Sequence, residues 1–245
     1  MSAKLIIFVG LKLNDMKRIV IILAAMALAL ASCGPRGTKN AEADAQADST
    51  ATAQAMEQKQ HEEPMFDIFT NKGKMRIKLY SKTPKHRDNF VKLVNDRYYD
   101  GVRFHRVIEG FMIQTGDPYS RDTSKIDLWG QGGPDYTVPA EFVNEYWHKK
   151  GAIAAARRGD MASPTNASSG AQFYIVHDEN ACLHLDGQYT IFGEVIEGLD
   201  VIDKIAIVNT DPYDRPLADI FINRIVAVEV EPEPAVEPAD STKTE

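Results

Sequence analysis

The chain has 245 residues, of which 44% are hydrophobic, and this is enough for one domain with a substantial core. Its formal net charge is −7, while residues 65–230 carry 20 Lys and Arg against 23 Asp and Glu, so most of the negative charge lies at the two ends. This balance argues against a nucleic-acid-binding protein, because such domains are usually strongly basic.

The first segment of the chain has the pattern of an export signal. Lys17 and Arg18 precede an uninterrupted apolar run over residues 19–31, which is short for a membrane span but typical of a signal peptide. We therefore predict a signal peptide over residues 1–32. Met16 is an alternative start, because residues 5–13 form a second, separate apolar run.

A cysteine follows the apolar run directly. Leu30-Ala31-Ser32-Cys33 resembles the bacterial lipoprotein box, which implies that Cys33 is lipidated and becomes the first mature residue. The alternative is an ordinary cleaved signal with an incidental cysteine. On the first interpretation the protein is anchored in the cell envelope by lipid alone and faces the periplasm or the exterior, with inner or outer membrane left open. Cys182 then has no intrachain disulfide partner.

Two segments flank a central domain and have compositions that disfavour a packed structure. Residues 33–64 are rich in Ala, Gln, Glu, Asp, Ser and Thr, and residues 231–245 are rich in acidic residues and proline. We predict a lipidated cysteine with a disordered tether over 33–64 and a disordered acidic tail over 231–245. Residues 65–230 between them form one domain.

The residue pattern of that domain indicates a mainly β fold. Residues 65–80 predict a hairpin around the turn Asn71-Lys72-Gly73, Thr83-Pro84 predicts the start of a helix, and residues 199–206 predict a second helix. Further strands are predicted at residues 103–108, 112–115, 172–177, 190–195 and 220–230. Many short strands with two helices favour a closed antiparallel barrel that is capped at its ends.

The run from Phe104 to Pro118 is the most informative part of the sequence, because it places one arginine and one glutamine among large apolar side chains. Alternation along a strand puts Met112 and Gln114 on one side, and Gly110 lets the backbone bend so that Arg106 approaches them from the preceding strand. Such a surface suits a ligand that is half apolar. A proline peptide is such a ligand, because its ring is apolar and its flanking carbonyls accept hydrogen bonds.

At these residues the chain resembles the cyclophilins, the barrel-shaped peptidyl-prolyl cis/trans isomerases. Their signature is a Phe-His-Arg strand followed by Gly-Phe-Met-x-Gln-x-Gly-Asp, and residues 104–106 and 110–117 match it without a gap. The resemblance implies a mainly β fold, a closed antiparallel eight-stranded barrel capped by two helices. It also implies an enzyme that stabilises the twisted X-Pro amide without covalent chemistry, without a cofactor and without a metal.

The resemblance assigns a catalytic role to Arg106 and substrate-binding roles to nine further residues. The walls of the proline pocket are Phe111, Met112, Tyr174 and Leu185. Two glutamines, Gln114 and Gln172, hold the substrate backbone. Three additional positions are Arg157, His184 and Tyr189.

Several of these positions depart from the commonest pattern of the family. Tyr174 stands where phenylalanine is usual, which adds a hydroxyl that needs a partner or water. His184 and Tyr189 stand where many eukaryotic members have tryptophan and histidine, and Arg157 replaces an asparagine that acts largely through its backbone. We therefore expect weaker inhibition by cyclosporin and an altered substrate preference, and we expect catalysis to be retained.

The predicted partners are proline-containing segments of unfolded or nascent exported polypeptides, and the protein is expected to be a monomer. No nucleic acid is expected to bind, and the protein is expected to contact the membrane only through its lipid anchor. Two other classes stay open: a non-catalytic proline-binding or chaperone module on the same fold, and a purely structural envelope lipoprotein. The Arg106–Gln114 constellation favours the enzyme.

A metal site at His177, Cys182 and His184 is not expected, since their spacing matches no common zinc pattern.

Overall fold

The computed structural model describes residues 62–157 and 165–229, which contain ten strands and three α-helices. The strands are β1 (Met65–Thr70), β2 (Gly73–Leu79), β3 (Arg106–Ile108), β4 (Met112–Thr115), β5 (Thr137–Val138), β6 (Ala152–Ala155), β7 (Ser168–Ser169), β8 (Phe173–Val176), β9 (Ile191–Glu197) and β10 (Ile222–Ala227). The helices are α1 (Pro84–Asn95), α2 (Glu179–Cys182) and α3 (Leu199–Ala206), and short 3-10 helices span Pro118–Arg121, Thr123–Leu128 and Leu183–Leu185.

Eight of these strands form one curled antiparallel sheet. Their order is β10-β1-β2-β9-β6-β8-β4-β3, while β5 pairs with β7 in a separate small sheet. The two edges of the large sheet meet, because the backbone N–H groups of Gly101 and Phe104 donate to the carbonyls of Ile222 and Ile220 at 2.8 and 2.9 Å. The predicted mainly β, eight-stranded antiparallel fold is therefore confirmed.

Helices α1 and α3 each bury one apolar face. Pro84 occupies the first turn of α1, where a missing N–H costs nothing, as the sequence predicted. Gly198 precedes α3 with φ +85°, and a Cβ there would lie 2.4 Å from the carbonyl oxygen of Lys74, so only glycine fits this position. The side chains that the two helices bury in the apolar interior are Phe90, Leu93 and Val94, and Val201, Ile202, Ile205 and Ala206.

Alternation along the strands divides the buried apolar residues into two clusters. The first takes side chains from all eight strands of the large sheet and from both longer helices, and is the barrel interior. Phe173 and Ile175 of β8 belong to it, whereas Tyr174 and Val176 belong to a second cluster on the outer face. A two-residue period thus gives one strand two different environments.

Several features of the fold differ from the sequence prediction, and the two-residue strands β5 and β7 are among those that were not predicted. Strand β6 was not predicted, because three of its four residues are alanine, which has low strand propensity; burial on both faces overrides that preference. Helix α2 adds a third helix of four residues, begun by Asp178, whose side chain accepts from the N–H of Asn180. The strand predicted at 103–108 begins only at Arg106, because Arg103 pairs across the barrel seam with Phe221.

The predicted signal peptide over residues 1–32, the lipidation site at Cys33, nearly all of the tether over 33–64 and the tail over 231–245 lie outside the described residues. They remain predictions. In residues 62–157 and 165–229, no helix is long and apolar enough to cross a bilayer.

Candidate active site

Four side chains from four neighbouring strands form a row on the outer face of the sheet. The strand register pairs Arg106 with Gln114, Gln114 with Tyr174, and Tyr174 with Ala154. Directly opposed residues on paired strands bring their side chains within contact range, about 5 Å between Cβ atoms. Met112 lies two residues from Gln114 and therefore shares this face.

Three members of the row, Arg106, Gln114 and Tyr174, line a surface cavity of about 100 Å³. Eight of the ten predicted site residues border it, together with Ala156: Arg106, Phe111, Met112, Gln114, Arg157, Tyr174, Leu185 and Tyr189. Of the other two, His184 stacks on Phe111 with 6.2 Å between ring centroids, and Gln172 is hydrogen-bonded to Gln114. The fold therefore brings all ten predicted residues to one place.

The apolar wall of the cavity comes from the turn before β4, from the first residue of β4 and from the 3-10 turn after α2. Gly110 turns the chain between β3 and β4 with φ +73°, and its N–H donates to Nδ1 of His177 at 2.9 Å, which fixes the position of Phe111. Met112 follows and is 2% exposed. Leu185 comes from the 3-10 turn after α2. Together these residues form a small apolar recess next to polar groups.

Arg106 stands at one end of the row, with 43% of its side-chain surface exposed. Its Nε lies 3.6 Å from Oδ2 of Asp214, which is equally exposed. The N–H of Val107 donates to the carbonyl of Asp214 at 2.8 Å and so holds that residue near β3. An exposed pair of this kind contributes less than about 1 kcal/mol, so Asp214 can orient the guanidinium without competing strongly with a ligand.

Gln114 is held by a chain of hydrogen bonds that starts at a buried carboxylate. Asp117 is fully buried and accepts from the N–H groups of Gly130 and Gly132. The carbonyls of those two glycines accept from Nε2 of Gln172 at 3.1 and 2.6 Å, and Oε1 of Gln172 accepts from Nε2 of Gln114 at 3.2 Å. Gln172 thus has partners within the protein at both ends of its amide, and in this arrangement it positions Gln114.

Tyr174 has the hydroxyl partner that the sequence analysis required. Its hydroxyl lies 2.8 Å from Nε2 of His148, whose Nδ1 lies 2.6 Å from Oδ1 of Asp186. Burial lowers the pKa of His148, although the hydrogen bond to Asp186 acts in the opposite direction. Burial also raises the pKa of Tyr174 well above its usual value. At neutral pH both rings are therefore uncharged.

Asp117 and His148 support the site, although neither role was predicted from the sequence. Asp117 belongs to the motif from Gly110 to Asp117, and this was the available signal; next to it, Gly116 has φ +96° and a Cβ there would lie 2.4 Å from the carbonyl oxygen of Ala171. His148 lies in a polar loop far in sequence from Tyr174, and no local pattern indicates its partners.

The electrostatics of the cavity favour hydrogen-bond acceptors. The guanidinium of Arg157 lies 4.6 Å from the ring centroid of Tyr189, and its Nε donates to the carbonyl of Gln188 at 3.3 Å. Arg106 and Arg157 both border the cavity, and none of its nine lining residues is acidic. These two guanidinium groups suit peptide carbonyl groups, which accept hydrogen bonds.

The groove continues beyond Gln114 into a larger cavity of about 430 Å³, bordered by residues 130–137 and by Ser169, Gly170 and Gln172. Gln114, Ala156 and Arg157 border both cavities. The two cavities together form a groove that can hold more than a single residue of an extended chain.

His177, Cys182 and His184, at which the sequence predicts no metal site, have separate contacts. His177 accepts from Gly110 and pairs with Asp203, whereas His184 stacks on Phe111. Cys182 is buried with its thiol 3.5 Å from the carbonyl of Phe111, and burial raises its pKa to about 11. Within the described part of the chain, no group of three or more His, Cys, Asp or Glu side chains could hold a metal ion.

Comparison with known proteins agrees with this geometry. Residues 65–227 match the family model for cyclophilin type peptidyl-prolyl cis-trans isomerases. Peptidyl-prolyl cis-trans isomerase CYP18-1 of Arabidopsis thaliana is 37% identical over 64% of this chain and 92% of its own length. Peptidyl-prolyl cis-trans isomerase-like 3 of Gallus gallus is 36% identical over the same shares of the two chains.

A solved structure extends the comparison to the fold. The cyclophilin type isomerase of Cryptosporidium parvum, crystallised in the presence of the dipeptide Ala-Pro, matches with a TM-score of 0.60 and 28% identity. The match covers 68% of this chain and 99% of that one. The chain therefore belongs to the cyclophilin-type peptidyl-prolyl cis/trans isomerase family.

Proposed function

We propose that this protein isomerises X-Pro bonds in unfolded or newly exported polypeptides, using Arg106 as the catalytic residue. The observation that carries the proposal is the row Arg106–Gln114–Tyr174, which borders a cavity of about 100 Å³ with an apolar wall. The recess is suited to a prolyl ring, and the polar row is suited to the amide beside it. No cofactor takes part.

The proposed chemistry is stabilisation of a twisted amide. Rotation about the peptide bond has a barrier of about 18–20 kcal/mol, because the C–N bond has partial double-bond character. In the twisted state resonance is lost, and the prolyl nitrogen becomes a better hydrogen-bond acceptor. In the proposed mechanism the guanidinium of Arg106, which borders the cavity, donates to that nitrogen. No bond is made or broken.

The proposed ligand is an extended segment that contains proline. Phe111, Met112 and Leu185 contact the ring, and the amide of Gln114 binds the backbone beside it. The isomerase of Cryptosporidium parvum, solved in the presence of Ala-Pro, supports a peptide of this chemistry. The adjoining cavity of about 430 Å³ gives room for the neighbouring residues of a polypeptide.

The catalytic role of Arg106 is tested by substitution. Arg106→Ala should lower kcat by about 10²-fold or more, with a smaller change in KM, because the contact strengthens in the transition state. Arg224→Ala is the matched control, since Arg224 lies on β10 and does not border the cavity. An unchanged kcat with a raised KM would show that Arg106 binds substrate without stabilising the twisted amide.

We also propose that the protein is exported and held in the cell envelope by lipid on Cys33, facing the periplasm or the exterior. The pattern of residues 17–33 supports this, and it lies outside the family match and the described structure. A flexible tether over residues 34–64 would have a root-mean-square span of roughly 30 Å. Cys33→Ser should release the protein from the membrane fraction with its isomerase activity intact; retention in the membrane would place the anchor elsewhere.

A further inference from the structure

The proline pocket is backed by a hydrogen-bonded chain of three side chains, Asp186–His148–Tyr174. Oδ1 of Asp186 accepts from the backbone N–H of His148 at 2.9 Å and lies 2.6 Å from Nδ1 of the same residue. Nε2 of His148 lies 2.8 Å from the hydroxyl of Tyr174. His148 is completely buried and Tyr174 is 5% exposed, so the bond between them is shielded from water, whereas the side chain of Asp186 is 34% exposed.

The proton positions in the chain follow from the chemistry of its ends. Oδ1 of Asp186 already accepts from the backbone N–H of His148, so it is an acceptor, and the Nδ1–H of His148 donates a hydrogen bond to it. Nε2 of the neutral ring then accepts from the hydroxyl of Tyr174. The pKa directions agree, because burial disfavours the charged form of both His148 and Tyr174. Every polar atom of the imidazole therefore has a partner and a fixed role.

Through His148, the hydrogen-bonded chain joins two segments of the fold that form the pocket. Tyr174 lies on β8, and Asp186 follows the 3-10 turn that ends at Leu185. Tyr189, three residues beyond Asp186, packs edge-on against Tyr174 with 5.9 Å between ring centroids. Tyr174, Leu185 and Tyr189 border the cavity of about 100 Å³, whereas His148 does not. His148 therefore contacts two walls of the pocket, through Tyr174 and Asp186, without lining the pocket itself.

We propose that His148 is a positioning residue that locks these two walls together and thereby sets how tightly and how selectively the prolyl ring is held. The inference deepens the proposed function and rests on it. A fully satisfied buried network specifies one arrangement of its side chains, whereas removal of one member leaves a buried polar group unpaired. Without these hydrogen bonds, the ring of Tyr174 and the segment that carries Leu185 and Tyr189 can move apart. The pocket then makes fewer contacts with a prolyl ring.

The test measures affinity and turnover separately, in the full-length protein, with short peptides that contain either proline or the six-membered analogue pipecolic acid. Tyr174→Phe removes only the hydroxyl, and His148→Leu removes the imidazole. Each should raise Kd and KM for the proline peptide by about 3- to 10-fold while kcat changes less than about 2-fold. Each should also reduce the preference for proline over pipecolic acid.

Two comparisons separate positioning from general destabilisation. His86→Leu is the matched control, because His86 is also buried between a carboxylate and a hydroxyl, those of Glu141 and Ser168, but does not border the pocket. It should lower stability and leave Kd unchanged. His148→Gln, which offers an amide to the hydroxyl of Tyr174, should recover part of the affinity lost in His148→Leu.

The double variant gives the decisive outcome. If the chain acts as one unit, Tyr174→Phe with His148→Leu should bind the proline peptide about as weakly as either single variant. The inference would be overturned if the increase in Kd of the double variant equalled the product of the two single-variant increases. It would also be overturned if Kd and the preference for proline were unchanged in the single variants. If His148→Leu does not fold, Tyr174→Phe combined with Asp186→Asn provides the same test. Because Kd is measured without turnover, failure of catalysis and failure of this inference are distinguishable.

Discussion

Adjacent residues of strands β4 and β8 lie on opposite faces of the sheet, and the two faces have different environments. On the inner face Ile113, Phe173 and Ile175 pack among apolar side chains from every strand of the barrel. On the outer face Gln114 and Tyr174 each have a specific hydrogen-bond partner and border a cavity. The inner face stabilises the barrel, and the outer face holds chemical groups in position.

This comparison shows why the two faces should respond differently to mutation. Inner-face residues contribute mainly through buried apolar area and packing, so their loss should appear in the free energy of unfolding. Outer-face residues act through defined contacts at the cavity, so their loss should appear in binding and turnover. The following predictions test that separation, from the largest expected change in free energy to the smallest.

Ile175→Ala should separate stability from activity most clearly. Ile175 is fully buried in the barrel interior, so its truncation should lower the free energy of unfolding by about 2–5 kcal/mol. Its neighbour Tyr174 faces the cavity, so kcat/KM of the folded variant should stay within about 2-fold of wild type. Denaturant unfolding and a peptide isomerisation assay measure the two quantities. A large loss of activity at unchanged stability would contradict the division into two faces.

His105 should make the protein sensitive to acid. It is 4% exposed, its two ring nitrogens have no hydrogen-bond partner among the described residues, and burial lowers its pKa to about 4. Because the unfolded value is near 6.5, the unfolded chain binds a proton first as the pH falls. The stability contributed by neutral His105 is complete above about pH 6.5 and is lost between there and pH 4, a loss on the order of 3 kcal/mol.

The measurement for His105 is the free energy of unfolding between pH 7 and pH 4 in wild type and in His105→Leu. The variant should lose less stability over this window. His148, whose pKa is also lowered by burial, titrates in the same direction in both proteins, so the difference between them isolates His105. Identical pH dependence in the two proteins would show that His105 takes up its proton without cost in the folded state.

The smallest predicted effect concerns cyclosporin. His184 is exposed and stacks on Phe111. The resemblance described in the sequence analysis implies tryptophan at this position in many eukaryotic cyclophilins. His184→Trp should bind the drug about tenfold more tightly, because the larger ring adds apolar contact and an indole donor; tenfold corresponds to about 1.4 kcal/mol. Ile207→Trp, which adds an exposed tryptophan away from the cavity, is the control. Equal affinities of His184→Trp and wild type would remove this explanation.

The inner face of the barrel and the position of Arg106 next to Gln114 could be predicted from the sequence, because both depend on local patterns. The two-residue period and the helix start at Thr83-Pro84 are local signals, and so is the motif of residues 104–117 that placed Arg106 and Gln114 side by side. The sequence missed β6, because alanine prefers helices and only burial within the barrel makes Ala152–Ala155 a strand. It also missed His148, because its partners lie 26 and 38 residues away along the chain.

The central claim is that the groove at Arg106 catalyses proline isomerisation, and the most direct test is the rate of X-Pro exchange in short peptides with and without the purified full-length protein. Wild type should accelerate exchange for several X residues. Addition of an Ala-Pro peptide should compete for the groove, and Arg106→Ala should remove most of the acceleration while still binding peptide. Unchanged exchange rates with the folded wild-type protein, across all X residues tested, would contradict the account and leave a proline-binding module in its place.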